Sequence, residues 1–169
     1  MHTRVTADQR RPTVDKRELR QILGRFASGV VVVTGLVEGE PAGFTCQSFS
    51  SLSLDPALVV FCPSKTSRTW PGLSRSGTFC VNILGEGQRD VSDTFARQGV
   101  DRFDRVCWSS GRRGNPRLAG ALAHIECDLR AEHDGGDHHI VLGEVQDLVV
   151  GQADSPLIYF RGRYAGIRA

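Results

Sequence analysis

Residues 124–150 read HIECDLRAEHDGGDHHIVLGEVQDLVV. In the first ten, Ile125, Cys127, Leu129 and Ala131 alternate with Glu126, Asp128, Arg130 and Glu132. Successive side chains of an extended chain point to opposite faces, so this alternation predicts a half-buried strand over His124–His133. Asp134-Gly135-Gly136-Asp137 then offers the positive φ angles of a hairpin turn, and a second long strand is expected over His138–Val150. Shorter segments of the same kind surround this hairpin. Gly29–Leu36 (GVVVVTGL) is apolar on both faces, as in a fully buried strand. Glu38-Gly39-Glu40-Pro41 marks a turn, and another strand begins near Ala42. Ala57–Cys62, Thr78–Leu84 and Leu157–Phe160 complete the set of strands. Leu19, Ile22, Leu23 and Phe26 recur at helical spacing and predict an amphipathic helix from Lys16 to near Ser28-Gly29. Short helices are expected near Ser67–Arg75 and across Gln88–Arg97, with Val91 and Phe95 on the inner face of the second. Six or more strands with only short helices predict a mainly β fold, a small closed or split β-barrel rather than a doubly wound sheet.

Composition sets the limits within which that barrel must work. The 169 residues suit one domain, expected over 16–169 behind a mobile, Arg-rich tail at 1–15. Lys and Arg number 21 against 19 Asp and Glu, a net charge of +2 that gives no sign of a nucleic-acid partner. No apolar run approaches the roughly 18–20 residues that cross a bilayer, so no membrane association is expected. The N-terminus lacks the apolar core of a secretory signal. Five cysteines, at 46, 62, 80, 107 and 127, form no C-x-x-C pair and fit neither a disulfide framework nor a zinc site. A cytoplasmic, reduced protein is the expectation.

Three segments are able to carry chemistry. Gly43-Phe44-Thr45-Cys46-Gln47-Ser48-Phe49-Ser50-Ser51 starts as a strand and becomes dense in hydroxyl and amide groups. Gly43 would let the backbone approach a ligand, and Gln47 and Ser48 offer donors and acceptors to a planar heterocycle. An edge strand with a polar outer face reads equally well. Cys62-Pro63-Ser64-Lys65-Thr66-Ser67-Arg68-Thr69-Trp70 follows a strand and opens a helix, where free N–H groups favour a phosphate. Capping by Ser or Thr is the alternative, but capping does not call for two cations in one turn. In His133-Asp134-Gly135-Gly136-Asp137-His138-His139 the density of His and Asp suggests a metal. Neighbouring His138 and His139 on one strand would point to opposite faces, however, and no metal is expected. One histidine facing a cleft is the more economical reading, beside a solvated turn. Gly85-Glu86-Gly87-Gln88-Arg89-Asp90 half-matches a dinucleotide fingerprint but lacks the third glycine. Cys46 has nothing adjacent in sequence to activate it. The long segment Arg105–Gly120 is read as a loop.

Taken in order, G-F-T-C-Q-S-F-S-S, L-D-P-A-L-V-V-F-C, K-T-S-R-T-W, F-C-V-N-I-L, D-R-F, G-D-H and P-L-I-Y-F-R-G-R-Y resemble the flavin reductase components of two-component flavin-dependent monooxygenases. The resemblance extends from about Glu18 to Ile167. It implies a flavin-binding split barrel that works as a homodimer, reduces FAD or FMN (FAD slightly favoured) with NADH (NADPH the alternative), and passes reduced flavin to a separate monooxygenase. It further implies that Thr45, Cys46, Gln47 and Ser48, with Ser51 nearby, hold the isoalloxazine edge, Gln47 standing where Asn is frequent. Cys62, Pro63 and Ser64 would follow the ribityl chain, and Lys65, Ser67 and Arg68 would meet phosphate. Asn82 and Phe103 would line the pocket, His138 would stand beside the nicotinamide, and Tyr164 would close the site. An oxidase with tightly held FMN and a non-enzymatic flavin carrier or redox sensor are the competing readings.

Overall fold

The structure, a computed structural model, describes residues 14–97 and 101–167. Most of the expected tail, residues 1–13, lies outside the described residues. Helix α1 (Lys16–Leu23) is started by Asp15, whose carboxylate accepts from the amides of Arg17 and Glu18 at 2.8 Å each. It stops at Gly24, earlier than the apolar spacing predicts. The strands β1 (Ser28–Gly29), β2 (Val31–Val37), β3 (Glu40–Cys46), β4 (Ser50–Leu54) and β5 (Ala57–Phe61) follow. Then come α2 (Trp70–Ser76), β6 (Thr78–Ile83), α3 (Arg89–Ala96) and a 3-10 turn at Phe103–Arg105. The chain continues through β7 (Trp108–Ser110), β8 (Pro116–Leu118), β9 (Ala123–Gly135), β10 (His138–Val150), β11 (Ile158–Phe160) and β12 (Arg163–Ala165).

Seven strands form one antiparallel sheet in the order β3-β2-β6-β9-β10-β5-β4. Its edge strands, β3 and β4, are consecutive in the chain and joined only by residues 47–49. Laid flat, seven strands would hold their edges about 29 Å apart at roughly 4.8 Å per step. Four residue steps of extended chain reach only about 14 Å. The sheet must therefore curl until its edges meet, and because β3 and β4 do not pair, the result is a split barrel.

The curled sheet buries both of its faces along β2, which explains the VVVV run. Val31 and Val33 pack with Phe61, Trp70, Phe79 and Val141 on one face. Val30 and Val32 pack on the other with Leu84, Phe95, Leu118 and Leu157. Phe61 centres the first cluster, edge-on to Trp70 at 5.3 Å and to Phe79 at 5.2 Å. The single strand expected over Gly29–Leu36 is in fact two, changing partners at Val30: β1 pairs with β11, whereas β2 pairs with β3 and β6. The long hairpin stands as expected, extended to Ala123–Gly135 on its first arm. Only Gly136 of the four turn residues has positive φ. The segment Arg105–Gly120 is not a plain loop, since it carries the β7–β8 hairpin.

Irregular pairing near Leu142/Gly143 and Val145/Asp147 bends β10 over the core. A Cβ at Gly143 would lie 2.6 Å from the Phe79 ring and 3.1 Å from Cys127 Cβ. Gly143→Ala is therefore expected to lower the unfolding free energy by about 1–3 kcal/mol through overpacking, measured as a reduced denaturant midpoint.

Candidate functional site

Where β3 and β4 part, a cleft of about 980 Å³ opens. Phe44–Ser48, from the end of β3 and its link, form one wall. Cys62, Pro63, Ser64 and Thr66–Thr69, after β5, form another. Asp93, Phe95 and Ala96 of α3, Arg102, His138, Tyr159 and Tyr164 complete it.

Ser48 joins the first two walls. Its hydroxyl donates to the Cys62 carbonyl at 3.1 Å and accepts from the Cys62 amide at 2.9 Å, continuing the β4–β5 register past Ser50↔Val60 through a side chain. Thr45 is anchored through its hydroxyl to the Ser92 carbonyl of α3 at 2.7 Å. Burial pushes the Cys46 thiol pKa up, leaving a neutral group rather than a nucleophile.

His138 begins β10, and an isolated bridge to Ser64 ties the hairpin tip to the second wall. Its Nδ1 lies 2.7 Å from Asp137 Oδ1, which orients the ring and leaves Nε2 without a partner among the described residues. That hydrogen bond to His138, and then its charge, hold the Asp137 carboxyl below the usual aspartate range. The tether is thus intact above that range and is lost as pH falls through the lowered value. His139 turns away to Glu132, 2.7 Å from Oε1. Glu132 also accepts from Trp70 Nε1 at 3.0 Å and Ser74 Oγ at 3.1 Å, fixing α2 to the hairpin.

At the opposite end, Tyr164 donates to Asp93 Oδ1 at 2.7 Å and meets Ser92 Oγ at 2.9 Å. Burial raises the Tyr164 pKa, so the phenol keeps its proton in the neutral range. Arg102 donates to the Gly43 carbonyl at 2.6 Å and to Thr69 Oγ1 at 3.1 Å, tying its loop to β3 and to the residue before α2.

The structure brings together eleven of the expected site residues: Thr45, Cys46, Gln47, Ser48, Cys62, Pro63, Ser64, Ser67, Arg68, His138 and Tyr164. Four others lie elsewhere. Asn82 is fully buried away from the cleft lining, where its amide donates to Val32 O and Thr34 Oγ1 and its oxygen accepts from the Leu118 amide. Phe103 packs edge-on between Phe95 and Trp108. Ser51 is exposed on β4, and Lys65 is drawn away by its ion pair with Asp134. The cationic helix start also needs correction. Because α2 begins only at Trp70, Ser64–Ser67 form a preceding turn in which Ser64 Oγ accepts from the Thr66 amide and Ser67 Oγ from the Trp70 amide. Gly43 serves packing, since a Cβ there would lie 2.9 Å from the Val33 carbonyl and 3.0 Å from the Phe95 ring. Sequence reasoning missed Asp93, Arg102 and Tyr159, whose partners are distant in the chain and leave no local signal.

The donor set fits a planar heterocycle with a polar tail: hydroxyls and backbone groups at the seam, aromatic faces from Phe44 and Tyr159, and an exposed Arg68 for an anion. Among the described residues no helix is long and apolar enough to cross a membrane, and no cluster of His, Cys, Asp and Glu is arranged to hold a metal.

The flavin reductase like domain matches residues 23–168. The reductase subunit HsaB of a flavin-dependent monooxygenase from Rhodococcus jostii is 46% identical over 91% of this chain and 79% of its own length. Nitrilotriacetate monooxygenase component B from Mycobacterium thermoresistibile superposes with a TM-score of 0.89 at 47% identity, covering 91% of this chain and 87% of that one. An NADH:FAD oxidoreductase of Streptomyces globisporus, in complex with NAD and FAD fragments, gives 0.86 at 39% identity over 91% and 93% of the two chains. With its split barrel and its cleft at the seam, the chain belongs to the flavin reductase-like family.

Proposed function

We propose that the protein is an NAD(P)H:flavin oxidoreductase that reduces free FAD or FMN with NADH and releases the reduced flavin to a separate flavin-dependent monooxygenase. The observation that carries this reading is a large open cleft lined by hydroxyls, aromatic rings and one oriented histidine, in which the only buried thiol is held neutral. When bound together, a reduced nicotinamide supplies a hydride and a flavin accepts it, so the protein need furnish no nucleophile.

What the chain contributes is position. Thr45–Ser48 present hydroxyl and backbone groups along one edge of the cleft. The Asp137 contact holds the His138 ring at the cleft through Nδ1, and Nε2 would be available to a bound nicotinamide or flavin. Tyr164 and Asp93 hold the far wall, and Arg68 offers charge to a phosphate. Alignment of two bound rings in this way supplies roughly 7–11 kcal/mol of the barrier. An open cleft also suits a flavin that must leave after reduction.

We take residue 16 onward as a single split-barrel unit working as a homodimer in the cytoplasm. Leu19, Ile22, Leu23 and Phe26 support the dimer, because this apolar stripe of α1 and the turn after it is 43% to 82% exposed in the single chain. The five free cysteines support a reducing compartment. Light scattering is expected to give the mass of two chains for the native protein and of one for the Leu23→Asp/Phe26→Asp variant. A native mass of one chain contradicts the dimer.

NADH oxidation is expected only when free flavin is added in excess. Purified protein that leaves NADH untouched with FAD and FMN both present rules the reductase out. A flavin that co-purifies and turns over only with another organic substrate points instead to an oxidase. His138→Ala is expected to slow flavin reduction by about 10–100-fold with little change in flavin affinity, as misplacement of reacting groups does; an unchanged rate removes His138 from the site. Arg68→Ala should weaken FMN binding while sparing riboflavin, whereas Lys65→Ala, which acts on the hairpin contact, should affect the two alike. Binding titrations with both flavins check this.

A further inference from the structure

Cys46 ends β3, Cys62 follows β5, and both line the cleft on opposite sides of the seam. One hydroxyl spans the gap between them. Ser48 Oγ lies 3.2 Å from Cys46 Sγ and accepts from the Cys62 amide at 2.9 Å. The two residues differ in access. Cys62 is half-buried and faces the cleft, whereas Cys46 is 7% exposed and packs with the barrel core. The remaining thiols are placed otherwise: Cys80 and Cys127 are fully buried, and Cys107 is exposed outside the cleft.

We propose that Cys46 and Cys62 form a reversible disulfide across the seam, closing the flavin cleft when hydrogen peroxide accumulates there. This rests on the reductase reading, which names the source of the oxidant. Reduced flavin that meets dioxygen instead of an oxygenase is reoxidised, and the dioxygen becomes hydrogen peroxide. The Cys62 sulfur attacks one peroxide oxygen; the S–O bond forms, the O–O bond breaks, and the departing hydroxide leaves as water with the proton of the Cys62 thiol, giving a sulfenic acid. The Cys46 sulfur then attacks the Cys62 sulfur. The S–S bond forms, the S–O bond breaks, and hydroxide departs as water with the Cys46 proton. Two thiols and one peroxide thus give one disulfide and two waters, and a thiol reductant reverses the change.

The order follows from the fold. Cys62 meets solute in the cleft, whereas burial keeps the Cys46 thiol protonated and confines it to reaction with a neighbour. A covalent link here fixes the end of β3 to the end of β5 and displaces the Ser48 contact. The Thr45–Ser48 edge that receives the flavin is thereby narrowed. Continued turnover without an oxygenase would shut the enzyme down through its own by-product.

The test starts from full-length wild-type protein whose NADH–flavin turnover has first been recorded. It is then exposed to hydrogen peroxide without flavin, digested under non-reducing conditions and mapped by mass. The expected result is a joined pair of peptides containing Cys46 and Cys62, lighter by two hydrogens than their sum. Turnover should fall in proportion to the joined fraction and return with a thiol reductant. Cys62→Ser and Cys46→Ser, each compared with its own untreated rate, should lose this reversible inactivation, whereas Cys107→Ser should keep it. The proposal is overturned if turnover falls with no joined peptide, if the joined peptide forms without loss of turnover, or if Cys62→Ser is inactivated as fast as wild type. A protein that oxidises no NADH before peroxide is added fails the reductase reading instead, and the peptide map still decides whether the disulfide forms.

Discussion

Gln47, Ser48 and Phe49 are all that connect the two edge strands of the seven-stranded sheet. A link this short cannot span a flat sheet, so the sheet has to curl. The antiparallel ladder runs from one edge to the other but does not close between β3 and β4. Backbone groups at such a seam require other partners. Beside it, the Ser48 hydroxyl bonds both the amide and the carbonyl of Cys62, tying the β3–β4 link to the end of β5. The residues that force the curvature are therefore the same ones that present polar groups to the cleft, and site and fold are inseparable here.

The remaining parts of the cleft are held by contacts from far along the chain. Glu132 fixes α2 against the long hairpin and so sets the distance between the Cys62–Thr69 wall and His138. Asp93 and Ser92 hold Tyr164, and Arg102 ties its loop to β3. Such an arrangement supplies orientation and polarity. That suits a reaction in which two bound rings exchange a hydride and one of them must then depart.

The sequence made the long hairpin legible because alternation over Ile125–Glu132 has only one extended reading and Gly135-Gly136 marks the turn. The break at Val30 was not legible, since a run apolar on both faces carries no period from which to place a boundary. β4 (SSLSL) escaped because its residues are polar or exposed and look like a loop. Eleven residues that line the cleft were legible through ordered motifs, and Asn82 shows what motifs leave open. Along β6 one face meets the aromatic core and the other meets β8, and only the register decides which way an asparagine points. Asn82 points to the β8 side, where it bonds Thr34 and Leu118. Lys65 lay in the expected segment, but its partner Asp134 is on the hairpin, and no local pattern announces that ion pair.

A flavin reductase of this kind must reduce its flavin and then let it go. An anaerobic mixture of the protein with a large excess of FAD and NADH, passed through an ultrafiltration membrane after reaction, tests this most directly. Nearly all the flavin is expected to be reduced and recovered in the filtrate. Reduction that stops at one equivalent per chain, with the reduced flavin retained by the protein, would contradict it.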